Sequence, residues 1–296
     1  MIPSAVEERA EVVFEQLRPR WIRLAYRMLG SVADAEDVVQ EAFLRWLDAD
    51  REGVREPEAF LYRIVMRLCL DHLRSARKRR ETYIGPWLPD PVTEQWDEVI
   101  DVTLPLMLAM ERLSPLERAA FLLHDVFGHD FKEIATIIGR RPDACRQLAH
   151  RARVHVREPY ARSRMSKEQG QRIASAFFAA SRNGDMEQLR SLFAKDVRAM
   201  ADGGGKVRAS ERPIVGIEEV MALHASLAEG FAGSMSRLLH EGPINGLPGF
   251  ITVEQGGIVQ TTAIEIKHGR ITATYVMRNP DKLEHIRMDL WKKMSG

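Results

Sequence analysis

Hydrophobic residues along this chain keep two different rhythms, and the change between them divides it. In the first part Val13, Leu17, Trp21, Leu24 and Met28 recur at steps of three and four, as one buried helical face does. Gly30-Ser31 ends that stretch, and Ser31 or Asp34 can cap the next helix. That helix carries Val38, Val39, Ala42, Phe43, Trp46 and Leu47 on one side and Asp34, Glu36, Asp37, Gln40 and Glu41 on the other. A third helix begins after Pro57, runs through Phe60, Leu61, Ile64, Val65, Leu68 and Leu73, and ends in the basic tail RSARKRR. Helical spacing breaks at GPWLPDP (85–91), whose prolines cannot continue a helix, and resumes at Leu104. Trp87 and Trp96 read as exposed aromatics of this linker. After Ser166 short amphipathic helices through Ile173, Phe177 and Phe178, then Met186, Leu189, Leu192 and Phe193, precede one through Val220, Met221 and Leu227. From about Ser236 the period falls to two, in GFITVEQ, GIVQTTAIEIKHG and RITATYVM, which predicts an antiparallel meander. Helices followed by a curved sheet give an α+β cone able to enclose a cavity.

Between these parts lies the stretch Asp130 to Arg157. Phe131, Ile134, Ala135 and Ile138 form an apolar stripe ending at Gly139, and Pro142 sits where a second helix starts. On that second helix Ala144, Leu148 and Ala152 can pack inward, while Arg146, Gln147, His150 and Arg151 point elsewhere. Such side chains read base edges and phosphates, so the stretch predicts a helix-turn-helix. Ser114-Pro115 with Glu117 marks the start of an earlier helix of the same unit.

At 296 residues, with 29% charged and 45% hydrophobic positions, the chain has room for two or three globular domains. Its net charge of +1 conceals segregation. Arg63 to Arg80 holds seven Lys/Arg against Asp71, Ile138 to Arg164 holds eight arginines against two acids, and Ser31 to Glu58 holds nine acids against three arginines. Two basic zones and one acidic zone imply separate surfaces for separate partners. The two cysteines, Cys69 and Cys145, lack the spacing of a metal or disulfide framework, which fits a reducing cytoplasm. The opening residues have no apolar core of a signal peptide, and no run of about 18 apolar residues exists to span a membrane. The expected location is cytoplasmic.

ADAEDVVQEAFLRWL (33–47) followed by FLYRIVMRLCLDHLRSARKRR (60–80) resembles region 2 of bacterial extracytoplasmic-function (ECF) sigma factors. LSPLERAAFLLHDVFGHDFKEIATIIG with its arginine-rich helix resembles their region 4. GPWLPDP (85–91), DGGGKV (202–207) and NPDKL (279–283) are similar to the subgroup with a fused C-terminal SnoaL-like domain. The resemblance implies a multidomain chain: all-α region 2 over 1–80, a linker over 81–103, the all-α helix-turn-helix of region 4 over 104–162, and an α+β SnoaL-like cone over 166–296. It implies a promoter-recognising subunit of RNA polymerase with no catalytic residues, metal or cofactor. Asp34, Glu36, Asp37, Gln40 and Glu41 would dock on core polymerase. Arg67, Arg74, Arg77, Lys78, Arg79 and Arg80 would lie along the −10 element. Many members carry asparagine where this chain has Arg67, so base specificity is not carried over there. Arg146, Gln147, His150 and Arg151 would meet the −35 element, with Arg140, Arg141 and Arg153 as phosphate anchors. Trp87, Leu88 and Pro89, the loop Asp202, Gly203, Gly204, Gly205 and Lys206, and Asn279, Pro280, Asp281 and Lys282 would form interdomain contacts that let the cone regulate the region 2–4 unit. Two other readings stand beside this one. The first is a stand-alone helix-turn-helix regulator with a ligand-sensing domain. The second is an enzyme using Asp202, His224, His240, Glu265 or His268 in the cone.

Overall fold

The computed structural model describes residues 5–49, 54, 56–93, 102–156, 165–231 and 236–288. They form two compact units, one of residues 1–81 with 106–160, the other of residues 82–105 with 161–296.

The first unit is all helical. α1 (Ala5–Leu29), α2 (Val32–Leu47) and α3 (Pro57–Glu81) pack around Trp21, Leu24, Met28, Val38, Val39, Leu61, Val65 and Met66, all buried. Ser31 caps α2 by accepting from the Asp34 amide at 3.2 Å. α4 (Leu104–Met110) leads to α5 (Pro115–Phe121), whose start is fixed by a reciprocal Ser114–Glu117 capping box, and α5 continues into a π-helical segment, Leu122–Val126. α6 (Phe131–Ile138) starts at a second capping box, Asp130–Glu133, and ends at Gly139, whose φ of 66° suits a left-handed C-cap. α7 (Pro142–Val156) completes the helix-turn-helix. The helices before the linker and those after it share this unit. Tyr62 of α3 lies edge-on to both Trp21 (5.4 Å) and His129 (5.1 Å), and Tyr26 of α1 meets the Met107 sulfur at 3.8 Å.

The second unit opens with α8 (Lys167–Asn183) and α9 (Met186–Leu192), followed by β1 (Phe193–Asp202), β2 (Ile214–Val215) and α10 (Ile217–Phe231). β3 (Arg237–Glu241), β4 (Gly249–Glu254), β5 (Ile258–Lys267) and β6 (Arg270–Met277) form the expected antiparallel meander. The full order is β2-β1-β6-β5-β4-β3, with β1 parallel to β6. This strand corrects the sequence reading, which closed a helix at Phe193 and placed no strand after it. A register shift between Phe193 and Arg198 breaks the alternation that would have revealed it. The helices cover one face of the sheet, and Phe177, Leu189, Phe193, Val197, Val220, Phe250, Ile264 and Ile271 fill the core between them. A 3-10 turn, Pro280–Leu283, follows β6 and leads into helical residues 284–288.

Candidate functional site

α7 buries Cys145, Leu148, Ala149, Ala152 and Val156 and leaves Arg146, Gln147, His150 and Arg151 exposed, as its periodicity requires. Arg140 and Arg141 are exposed in the turn before it. Arg146 pairs with Asp143 and lies over the Phe131 ring at 5.6 Å, which fixes its direction from both helices of the motif. Arg151 reaches Glu117 at 3.1 Å. Arg153, read from sequence as a phosphate anchor, is half-buried and donates to Asp125 at 2.8 Å. It ties α7 to the π-helical segment instead.

The outer face of α2 presents Glu36, Asp37, Gln40 and Glu41 to solvent, with Asp34 half-buried at the cap. Leu44, one turn beyond Gln40, is half exposed and sets an apolar spot among these polar groups. On α3, Arg67 is exposed, and so is Arg74, which pairs with Asp71 at 3.0 Å. The side chains of Arg77, Lys78 and Arg79 lie outside the described residues, as does Trp96. Arg80 departs from the expectation of an outward phosphate contact. Its guanidinium is engaged by Glu111 and by the Leu29 carbonyl. Arg118 joins it from the other side, donating to Met28 O (2.8 Å), Met110 O (3.2 Å) and Glu111 (2.6 Å). Both arginines thus satisfy carbonyls that the end of α1 leaves without helical partners.

The three short motifs converge in the second unit. Asp202 is fully buried, and its carboxylate accepts from Tyr83 Oη (2.6 Å), Leu88 N (3.0 Å), Gly204 N (3.1 Å) and Lys282 Nζ (2.8 Å). Lys282 also donates to Leu88 O at 2.6 Å and sits between two rings, 4.7 Å from Tyr83 and 4.4 Å from Trp87. Trp87 is therefore half-buried rather than exposed, and Leu88 and Pro89 are buried beside it. Burial and the Asp202 carboxylate push the Tyr83 phenol up from its ordinary pKa. Asn279 donates to Tyr83 Oη at 2.8 Å and caps Asp281, ahead of Pro280 in the 3-10 turn, while Asp281 pairs with Lys206. Gly203 and Gly204 make this fit: a Cβ on Gly203 would lie 2.0 Å from the Val207 carbonyl oxygen, and one on Gly204 2.2 Å from Asn279 Nδ2. A Cβ on Gly205 would lie 2.8 Å from Ile84 Cδ1 of the linker, a side-chain end that can give way.

Sequence reasoning missed three members of the linker's anchorage. Tyr83 is one. Asn245 is buried with φ of 49°; its side chain accepts from Val92 N (2.8 Å) and donates to Asp90 O (3.1 Å). Its backbone bonds Val92 O and Leu104 N, so one residue grips the middle of the linker and the residue that follows it. His285 Nε2 lies 2.7 Å from Pro91 O. The Asn245-Gly246 turn dipeptide was the only sequence signal for the second.

The five residues weighed for catalysis do not assemble. Asp202 faces the linker, His224 packs between Phe177 and Phe193, His240 is half-buried on β3 opposite Ile251, Glu265 accepts from Tyr275 Oη at 2.8 Å, and His268 is exposed in a turn. Among the described residues no group of three His, Cys, Asp or Glu side chains could hold a metal, and no helix is long and apolar enough to cross a membrane.

Sigma-70 region 2 matches residues 13–79, and Sigma-70 region 4 matches residues 103–156. The chain is 36% identical over 286 residues to the ECF RNA polymerase sigma factor SigJ of Mycobacterium tuberculosis, covering 91% of each. It is 32% identical over 278 residues to a probable ECF RNA polymerase sigma factor, SigI, of the same species, covering 91% of this chain and 93% of that one. The crystal structure of M. tuberculosis SigJ superposes with a TM-score of 0.72 at 33% identity, covering 92% of this chain and 98% of that one.

Proposed function

The chain belongs to the extracytoplasmic-function RNA polymerase sigma factors, and we propose that its cone governs promoter engagement in cis through its hold on the linker. As a sigma factor it directs core polymerase to promoter DNA and initiates transcription. The single observation that carries the regulatory reading is the buried Asp202 carboxylate, which binds linker residues Tyr83 and Leu88 together with Lys282.

The physical need for such control comes from distance. Positions −35 and −10 lie about 25 base pairs, hence about 85 Å, apart along B-DNA. A compact unit of roughly 140 residues is about 40 Å across. Regions 2 and 4 packed in one unit cannot occupy both elements, so promoter binding requires them to separate. Linker residues fastened to the cone restrict how far they can do so.

In this reading α2 docks core polymerase through Glu36, Asp37, Gln40 and Glu41, and α7 enters the major groove with Arg146, Gln147, His150 and Arg151. Asp37→Arg should weaken core binding at least tenfold and leave the helical circular dichroism unchanged; equal affinity in a pull-down removes the docking role. Arg146→Ala should change the −35 preference by about 1–3 kcal/mol at one base position, read from a randomised promoter library. Uniform loss across all sequences would mean a phosphate contact instead.

In vitro transcription with core polymerase, comparing the full chain with one ending at residue 165, tests the regulatory claim. A ratio away from unity gives the sign of the cone's control. Equal output from the two chains refutes it. The stand-alone regulator is not favoured, because region 2 is matched beside region 4 and the sigma factor SigJ aligns over 91% of the chain.

A further inference from the structure

Two guanidiniums share one carboxylate where regions 2 and 4 meet. Glu111, just after α4, accepts from Arg80 at the end of α3 and from Arg118 of α5. The two arginines are not equivalent. Arg118 has a side chain only 4% exposed and three acceptors: Met28 O, Met110 O and Glu111. Arg80 sits at the rim, 17% exposed, and is the last arginine of a tail whose earlier member Arg74 points into solvent. Burial and the neighbouring Arg118 charge both disfavour the Arg80 cation, and Glu111 opposes them.

We propose that Glu111 is an internal competitor of DNA phosphate for Arg80, so that phosphate contact weakens the hold of region 2 on region 4. The inference rests on the sigma-factor reading of the basic tail. Arg80 shares Glu111 with Arg118 and is given one of its oxygens, whereas a backbone phosphate offers it a full bidentate oxygen pair. When Arg80 swings to a phosphate, Glu111 keeps Arg118, so no carboxylate is stranded and the fold of each region is retained. The tie between the end of α3 and the end of α4 is lost, which leaves Arg118 to Met28 O as the polar link of this cluster between the two regions. In the free chain the charge that DNA would use is thereby spent on holding the two regions together.

Phosphate contact is independent of sequence, so an arbitrary 30-base-pair duplex serves as the probe, with the full chain and fluorescence anisotropy over a salt series. Glu111→Gln removes the competing charge but keeps a hydrogen-bond acceptor for Arg118. It should bind the duplex about threefold or more tighter, with a log–log salt slope steeper by about 0.9, the signature of one added phosphate contact. In Arg80→Gln/Glu111→Gln the slope should return to that of the parent. Glu111→Asp, which keeps the charge and withdraws it by one methylene, should shift both readings the same way by less and protects the test against misfolding of the first variant. Unchanged affinity and slope in a folded Glu111 variant, or a gain that persists without Arg80, overturns the competition. Capture of core polymerase by the parent chain is scored separately: its failure would remove the sigma-factor reading, whereas a failed slope with capture intact removes only this proposal.

Discussion

Asp202→Ala should destabilise the second unit by about 3–5 kcal/mol and release the linker from the cone. The size follows from what the carboxylate leaves behind. Four donors converge on it, and one is the Lys282 ammonium, whose side chain is only 12% exposed. Breaking a buried pair by removing one partner costs about that much, because the remaining charge has no water to turn to. Leu88 O and the faces of Tyr83 and Trp87 still surround Lys282 and reduce the loss towards the lower figure. Hydrogen exchange at the Leu88 and Val92 amides reads the release directly, since these are bound by Asp202 and Asn245. Asp202→Ala should expose Leu88 first, and Asn245→Ala should expose Val92 first. Asp202→Ala/Lys282→Met should recover part of the stability, because it removes the stranded charge along with its partner. If protection at Leu88 survives in Asp202→Ala, the carboxylate does not hold the linker. The transcription ratio between the full and shortened chains should move towards unity in the same variant.

Much of this was legible in the chain, and the failures have physical causes. Helix-turn-helix periodicity placed α6 and α7, and the exposed set Arg146, Gln147, His150 and Arg151 followed from it, because an amphipathic helix has one way to face a core. The three short motifs were recognisable by likeness, but the chemistry joining them was not. Asp202, Leu88 and Lys282 are separated by about a hundred residues or more along the first step and eighty along the second. Only the fold brings them within hydrogen-bonding distance. Charge counts did not reveal the partners of Arg80 and Arg153, which belong to basic runs by sequence and are held by Glu111 and Asp125. A run of like charge predicts a solvated surface on average and says nothing of its end members, where a neighbouring helix can supply a carboxylate. β1 was missed because a register shift disturbs its alternation, and Asn245 because a buried asparagine in a turn is indistinguishable in sequence from an exposed one.

Acidification should destabilise the cone by way of His224, whose buried ring resists protonation. The ring is 8% exposed, edge-on to Phe177 at 5.4 Å and beside Phe193 at 5.5 Å. Burial, helped by the Arg182 charge, pulls its pKa from 6.5 down to about 4. In the unfolded chain the same ring takes a proton below about pH 6.5, while in the folded cone it stays neutral until about pH 4. The unfolded state therefore binds more protons throughout that window, so stability is full above pH 6.5 and falls as pH drops. The loss is about 2 kcal/mol at pH 5 and approaches about 3 kcal/mol near pH 4. Urea unfolding at pH 7 and pH 5, followed through hydrogen-exchange protection of the β5 and β6 amides, measures it. His224→Phe should cancel about 2 kcal/mol of the difference between the two pH values, since other titrating groups are common to both chains. It should leave transcription at neutral pH unchanged. A lost transcript from a folded His224→Phe chain would give this histidine a chemical role, and an unaltered acid response would place its proton affinity near the unfolded value. With neither, the buried histidine serves the packing of the cone alone.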